Sequence, residues 1–393
     1  MARPVLKTPL TEYLGIEYPI ILAGMGAGNE GGAAGPELVA AVSEAGGLGV
    51  LGGTGRDEES FLDALAEIRK LTRRPFGVDV LLPQPVAGLT AAEEMRGITE
   101  GPASPRDLKS LVDQRYWDWT DELLEKLGLE KPPEEENRGA ANAYSGMRVS
   151  EAHIRNVIRE RPAVLAAGLG SPGPYVKDLH AAGIKVFGLV GNVKTARRVN
   201  ADGVDVVVAQ GHEAGGHTGR VGTFALVPQV IDAVSPTPVV LAGGVGSGRH
   251  VAAALALGAQ AVWVGTAFLA TPEANITDEH RRHLLASSEE DTRVSRVYSG
   301  KTARAFVNPV IESWEASGLK ALPMGAQGLV SGRINAAVRA ARREDLSMHL
   351  GGQIAGMMNQ IRPAHVVLEE LVREAIETLG ELQAQSKVSF AKG

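Results

Sequence analysis

Short apolar runs rich in β-branched residues alternate along the chain with amphipathic stretches of helical period. Eight such runs occur, and nearly all are separated from the next run by a single helical stretch. Runs without polar alternation are typical of parallel strands that are covered on both faces. Eight strand–helix units favour a closed (β/α)8 TIM barrel, an α/β fold, over an open doubly wound sheet. The runs lie at residues 19–25, 48–53, 76–82, 163–169, 185–191, 204–211, 238–245 and 259–269.

Two segments do not follow this alternation. Residues 83–149 are rich in Pro, Glu and Arg, and they predict an insertion after strand three, near the mouth of the active site. Residues 291–393 predict a mostly helical C-terminal subdomain that packs on the barrel, which itself comprises residues 1–82 and 150–290. The stretch "YWDW" at 116–119 places aromatic side chains in the polar insertion. These aromatic residues form either a lid or partner surface, or the small core of the insertion.

Composition excludes several classes of function. The net charge is −6 and no long cluster of Lys and Arg occurs, which argues against a nucleic-acid partner. No cysteine is present, so disulfides, thiolate metal sites and cysteine nucleophiles are excluded. The N-terminus lacks the apolar core of a signal peptide, and the apolar stretch 251–270 is divided by Gly258 and Gln260. We therefore expect a cytoplasmic protein without a membrane partner.

Glycines cluster where the predicted strands end, which is where a barrel builds its active site. "AGGVGSG" follows strand seven and "GTAF" follows strand eight, and this pair of loops is the usual phosphate site of such barrels. The alternative is that these glycines only terminate strands and helices. "GMGAGNEGG" after strand one lacks the G-x-G-x-x-G spacing of a dinucleotide site, and no phosphate-binding P-loop motif occurs. The two loops together indicate a phosphorylated cofactor or substrate.

The loop "AQGHEAGGHTG" at 209–219 carries two histidines. A zinc pair needs helical spacing or its equivalent, and Gly215–Gly216 would break a helix, so no metal site is predicted. His217 follows the glycine pair at the end of a strand, where an imidazole can act as base, acid or electrostatic anchor. A structural or solvent-facing role is the alternative. His212 is expected to support the loop or to face a neighbouring element, and His280 and His283 are expected on a solvent-exposed helix face.

Several motifs in this order resemble the nitronate monooxygenases, formerly called 2-nitropropane dioxygenases. They are "ILAGM", "EAGGLGVLGG", "AQGHEAGGHTG", "LAGGVGSG", "VWVGTAFL" and "GGQIAGMM". The resemblance covers about residues 10–82 and 163–360. The same family of FMN-dependent barrels includes flavin enoyl-thioester reductases and NAD(P)H:quinone reductases.

The resemblance implies non-covalently bound FMN and a set of residues around it. The FMN phosphate would lie on Gly243, Gly244, Gly265 and Thr266, and the edge of the isoalloxazine near Ala23, Gly24 and Met25. His217 stands at the position of the catalytic histidine of the family. Asp79 stands where relatives often have an amide that contacts the flavin. The other positions that match residues lining the flavin are Gln210, Gly215, Gly216 and Gln353.

The activity that the resemblance implies is oxidation of alkyl nitronates or nitroalkanes with O2. The alternative is an NAD(P)H-dependent flavin reductase of enoyl thioesters or quinones, and a third interpretation is a flavin-binding role without catalysis. A homodimer is left open as the assembly.

Overall fold

Eight parallel strands form the centre of the structure, a computed structural model that describes residues 4–26, 32–82, 112–133 and 139–385. Their order in the sheet is β1-β9-β8-β6-β5-β4-β3-β2. The sheet closes on itself because Leu48, just before β2, bridges Ile21 of β1 in parallel. The strands of the described residues, numbered in chain order, are β1 (Ile20–Leu22), β2 (Gly49–Gly52), β3 (Phe76–Leu81), β4 (Val164–Gly168), β5 (Lys185–Val190), β6 (Val206–Gln210), β7 (Gly216–His217), β8 (Val239–Ala242), β9 (Ala261–Val264), β10 (Thr292–Ser295) and β11 (Ala303–Phe306).

The predicted TIM barrel is confirmed, and each of the eight apolar runs contains one of its strands. Successive side chains of a strand point to opposite faces, and both faces are buried here. On β3, Val78 and Val80 belong to the core between the sheet and its helices. On β6, Val206 and Val208 belong to a separate core inside the barrel. Burial on both faces explains why the sequence of each strand is a continuous apolar run.

Helices surround the sheet, and one of them covers the end of the barrel at which the strands begin. Leu10 and Leu14 of the first helix belong to the core inside the barrel, so this helix covers the end opposite the strand C-termini. In chain order the helices are α1 (Pro9–Leu14), α2 (Pro36–Glu44), α3 (Glu58–Leu71), α4 (Gln114–Lys126), α5 (Gly139–Glu160), α6 (Gly173–Ala181), α7 (Val193–Ala201), α8 (Thr223–Val234), α9 (Gly248–Ala256), α10 (Thr266–Leu269), α11 (Asp278–Ala286), α12 (Pro309–Ser317), α13 (Met324–Ala340) and α14 (Ala364–Gln385). Two 3-10 helices lie at Glu344–Leu346 and Gln353–Met357.

The chain after the eighth barrel strand is largely helical but also contains strands. β10 and β11 form an antiparallel hairpin, and β11 also pairs with the short β7. The last helix, α14, packs between α9 and α2, where a barrel needs the helix that follows its eighth strand. The proposed division into barrel, insertion and C-terminal subdomain stays a prediction. Residues 83–111 and 134–138 of the insertion lie outside the described residues, and only the backbone of residues 139–149 is described.

The aromatic residues of the insertion lie in a second hydrophobic core. Tyr116, Trp117 and Trp119 of α4 are buried there together with Trp314 of α12. The rings of Trp119 and Trp314 meet edge to face, with centroids 5.2 Å apart. Trp119 Nε1 also donates to Ser313 Oγ at 3.1 Å. These aromatic side chains therefore join the insertion to the C-terminal part of the chain, an arrangement that favours a core over a lid.

We predict that Trp119→Ala lowers the free energy of unfolding by about 3–5 kcal/mol, because it leaves a cavity and unpairs the Ser313 hydroxyl. Urea unfolding followed by circular dichroism measures this loss. Phe224→Ala is the matched control, since the Phe224 side chain is 76% exposed and truncation of an exposed ring changes stability by about 0.5 kcal/mol or less. Equal losses in the two variants would contradict the buried position of Trp119.

Candidate active site

The C-terminal ends of the barrel strands bring three predicted residues to the mouth of the barrel. Because Val78 and Val80 face the helices, Asp79 between them points into the barrel. Gln210 follows Val206 and Val208 on the inner face of β6, and its Nε2 donates to the carbonyl oxygen of His217. The predicted residues Asp79, Gln210 and His217 are thus gathered at one end of the barrel.

Gly24 lies directly against Asp79. A Cβ atom on Gly24 would stand 2.1 Å from Asp79 Cβ, so no larger residue fits without a shift of the backbone. Gly265 lies on the other side of the same segment, where a Cβ atom would stand 3.5 Å from both Ala23 Cβ and Met25 Sδ. Ala23 N also donates to Val264 O at 2.9 Å. The segment predicted beside the flavin ring therefore lies between the ends of β3 and β9.

His217 occupies β7 and is fixed on two sides. Its backbone pairs with Ala303 of β11, and its Nε2 lies 2.9 Å from Ser299 Oγ. Burial, with a smaller effect of the Lys301 ammonium, lowers the pKa of His217 below its usual value. The imidazole is therefore neutral at neutral pH and can accept a proton.

His212 supports the loop, as its position in the sequence suggests. Its Nδ1 donates to Gly219 O at 2.8 Å, and its backbone N donates to Val221 O at 2.9 Å. The carbonyl of His212 accepts two hydrogen bonds from the buried guanidinium of Arg304, through Nε at 3.2 Å and Nη2 at 3.0 Å. The same guanidinium donates to Thr292 Oγ1 at 3.0 Å. Arg304 thus connects the histidine loop to the C-terminal hairpin through hydrogen bonds.

Sequence reasoning missed Ser299, Lys301 and Arg304. They lie in "YSGKTARAF", after the last barrel strand, where the sequence shows neither a glycine motif nor a strand–helix unit. The pairing of β7 with β11 brings them to the histidine loop. The sequence contains no signal that would have identified them.

The glycine loops meet at the mouth through close backbone contacts. Gly243 and Gly244 both adopt left-handed backbone angles, with φ of +91° and +78°, which favour glycine. A Cβ atom on Gly215 would stand 2.7 Å from the carbonyl carbon of Gly351. Gly352 N donates to Thr266 Oγ1 at 2.9 Å. The loops after β6, β8 and β9 and the late "GGQ" segment are therefore assembled as one surface.

A cavity of about 480 Å³ adjoins this surface. It is lined by the backbone of Gly243 and Gly244, by Gln353, and by apolar side chains that include Val245 and Met357. Its volume lies within the range of small-molecule sites. The Glu213 carboxylate at its edge accepts from Thr223 N at 2.9 Å and Oγ1 at 2.8 Å, and so caps α8. The glycine backbone and the cavity beside it therefore leave room for a small-molecule cofactor.

Three histidines pack together beneath the late "GGQ" segment. The rings of His280 and His349 stack with centroids 4.6 Å apart, and His283 Nδ1 lies 3.4 Å from His349 Nδ1. His280 Nε2 donates to Leu350 O at 3.1 Å. The expectation of an exposed position is wrong for His280, which is 4% exposed, and His283 is only partly exposed. The reason is that this face of α11 packs on Phe306 of β11.

Comparisons with known proteins agree with the motifs and with this geometry. The sequence profile described as nitronate monooxygenase matches residues 7–374. The chain belongs to the nitronate monooxygenase family. A nitronate monooxygenase of Paraburkholderia phytofirmans is 32% identical, over 95% of this chain and 97% of that protein.

Two solved structures of similar fold cover almost the whole chain. The nitroalkane oxidase of Streptomyces ansochromogenes is 29% identical with a TM-score of 0.75, over 95% of this chain and all of that one. FabK of Thermotoga maritima is 28% identical with a TM-score of 0.71, over 97% of this chain and 100% of that chain.

Membership of the nitronate monooxygenase family makes the chain an oxidoreductase, and the cofactor class of the family is a flavin. The described residues fit such a cofactor, because Gly243 and Gly244 line the cavity without side chains and one buried oxygen of Asp79 has no hydrogen-bond partner among them. Among the described helices, none is long and apolar enough to cross a membrane. The roles of the individual site residues stay predictions.

We predict that acid destabilises the protein through the histidine cluster. Burial lowers the pKa of His280 to about 4 and that of His349 to about 3, so the unfolded chain takes up protons that the folded chain does not. Stability is therefore lost as the pH falls from about 6.5 towards 4, by roughly 2 kcal/mol for each of the two histidines between pH 7 and pH 5.

Urea unfolding at pH 7 and pH 5 tests this prediction. His349→Asn should make the loss on acidification smaller than in the unmodified protein. His365→Asn is the control, because His365 is exposed on α14. A loss that is equally large in all three proteins would show that other groups govern acid stability.

Proposed function

We propose that the protein is an FMN-dependent monooxygenase that oxidises alkyl nitronates and nitroalkanes with O2, and that His217 is its catalytic histidine. The observation that carries this proposal is the neutral, part-buried imidazole held at the mouth by β11 and Ser299, beside the assembled glycine loops. A base of this kind suits removal of a proton from the carbon next to a nitro group.

The hydrogen bonds of Ser299 suggest which nitrogen of His217 acts. Ser299 Oγ accepts from Lys301 N at 3.3 Å and can donate its own proton to Lys301 O at 3.5 Å. The hydroxyl can therefore accept a hydrogen bond from His217 Nε2. We assign the proton to Nε2 on this pattern, which leaves the lone pair of Nδ1 for the substrate.

The chain contributes binding, orientation and proton transfer to this reaction. For a neutral nitroalkane, Nδ1 of His217 takes the proton from the carbon. For a nitronate, which has already lost that proton, the imidazole can donate a hydrogen bond to the anion only after Nδ1 has itself taken up a proton. The flavin, when bound, transfers electrons from the substrate to O2.

We assign the FMN phosphate to Gly243, Gly244, Gly265 and Thr266. Backbone N–H groups of glycine loops at helix N-termini favour a phosphate, and α9 and α10 begin directly after these loops. Gln353 lines the same cavity as Gly243 and Gly244, and its backbone N donates to Glu213 O at 3.0 Å. FMN ends in a phosphate and therefore matches this surface.

A second candidate function is an NAD(P)H-dependent flavin reductase of enoyl thioesters or quinones. The structural similarity to FabK over 97% of the chain supports it, and its sequence identity is close to that of the nitroalkane oxidase. The two candidates differ in the compound that reduces the flavin. The assembly, including a homodimer, stays a prediction.

Anaerobic mixing distinguishes the two functions. We expect the purified protein to release FMN on denaturation, and its bound flavin to be bleached rapidly by an alkyl nitronate but slowly by NADH or NADPH. With O2 present, nitronate should cause steady oxygen consumption without nicotinamide. Rapid bleaching by nicotinamide alone would favour the reductase, and protein that does not bind FMN would contradict the cofactor assignment.

We predict that His217→Asn lowers kcat/KM for a neutral nitroalkane by about a hundred- to ten-thousand-fold, the usual contribution of a general base. This corresponds to a loss of about 3–5 kcal/mol of transition-state stabilisation. Flavin content should be almost unchanged, because backbone groups bind the phosphate. His212→Asn is the matched control and should cost much less. If His212→Asn were the more damaging change while both variants retained flavin, the roles of the two histidines would be reversed.

A further inference from the structure

Asp79 is a buried carboxyl group that has no counter-charge among the described residues. Its residue is 7% exposed, and its Oδ1 is buried and has no hydrogen-bond partner in the part of the chain that the structure describes. The side chain points into the mouth of the barrel, and its Cβ lies so close to Gly24 that only glycine fits there. A buried carboxylate without a partner is strongly disfavoured, whereas the neutral acid is not.

The described elements around Asp79 supply no charge that would stabilise a carboxylate. Segment 23–26 contains only Ala, Gly and Met, and β2 and β4, the neighbours of β3, contain only Gly, Ala, Val and Leu. Gln210, which shares the inner face of the barrel, is uncharged. The titratable groups at the described mouth are His217, whose own pKa is lowered, the neighbouring Lys301, and Glu213 at the edge of the cavity. Burial alone raises the pKa of the Asp79 carboxyl well above its usual range.

We propose that Asp79 is a neutral carboxylic acid that donates a hydrogen bond to the flavin at the mouth, and that flavin affinity therefore decreases when this acid ionises. The proposal rests on the proposed function, because the acceptor belongs to the flavin. A neutral carboxyl group has one O–H donor and retains acceptor capacity, whereas the ionised group can only accept.

An acid and an amide at this position would bind the flavin with a different dependence on pH. An amide donates at every pH, so binding through it does not depend on pH. An acid donates only while it is protonated. Above the pKa of Asp79 in the flavin-free protein, the dissociation constant for FMN should rise by about tenfold per pH unit.

The state of the carboxyl group can be observed directly in the FMN-loaded, full-length protein. Infrared spectra at pH 7 should show the carbonyl band of a neutral carboxylic acid, and labelling of aspartate with 13C should shift this band. Asp79→Asn should abolish it. Asp63→Asn, a change at an exposed position of α3, should leave it intact. Absence of the band from the unmodified protein would overturn the proposal without reference to any variant.

The role toward the flavin is tested by titrating each protein with FMN between about pH 6 and pH 9.5 and following flavin fluorescence. We expect the affinity of the unmodified protein and of Asp63→Asn to decrease as the pH rises. The affinity of Asp79→Asn should be nearly constant, because its amide remains a donor. A pH dependence of Asp79→Asn equal to that of the unmodified protein would overturn the role of Asp79. Failure of the unmodified protein to bind FMN at any pH would instead overturn the proposed function.

Discussion

The antiparallel pairing of β7 with β11 is the interaction on which the candidate site depends. β7 contains only Gly216 and His217, and such a short strand has little stability of its own. The buried guanidinium of Arg304 adds two hydrogen bonds to the same loop, at the carbonyl of His212. Because these contacts come from a hairpin beyond the barrel, the barrel alone does not define the position of the imidazole. The C-terminal part of the chain is thus a structural part of the site.

The strands of the barrel could be predicted from the sequence because burial on both faces requires apolar residues at successive positions. Every residue of β6 from Val206 to Ala209 is buried, so the run is apolar without interruption. The histidine loop and the glycine loops could be found for a similar reason, since each follows such a run. The orientation of α11 could not be predicted. Its sequence, "DEHRRHLLA", is polar on most sides, and only the contact with Phe306 shows that His280 is buried.

The residues around His217 illustrate a second limit of prediction from sequence. Ser299 contacts the imidazole from a position far along the chain, in a hairpin whose partner strand contains two residues. A strand of two residues is too short to give a periodic pattern in the sequence. The glycines show a related ambiguity, because Gly215 is required by the close approach of Gly351 as well as by any ligand. A glycine motif therefore indicates that two backbone segments pack closely, but it does not by itself identify a ligand.

The position of α14 has a consequence for the synthesis of the protein. β1, near the start of the chain, pairs with β9, and α14 near its end covers α9 and α2. While the chain is being made on the ribosome, β1 has no partner on this side until β9 has emerged, and the apolar surface of α2 and α9 stays uncovered until α14 has followed. Contacts between such distant parts of a chain form late, and exposed apolar surface favours aggregation. Loss of the last helix would accordingly leave a nascent chain that chaperones and proteases recognise, even though every residue assigned to the site had already been synthesised.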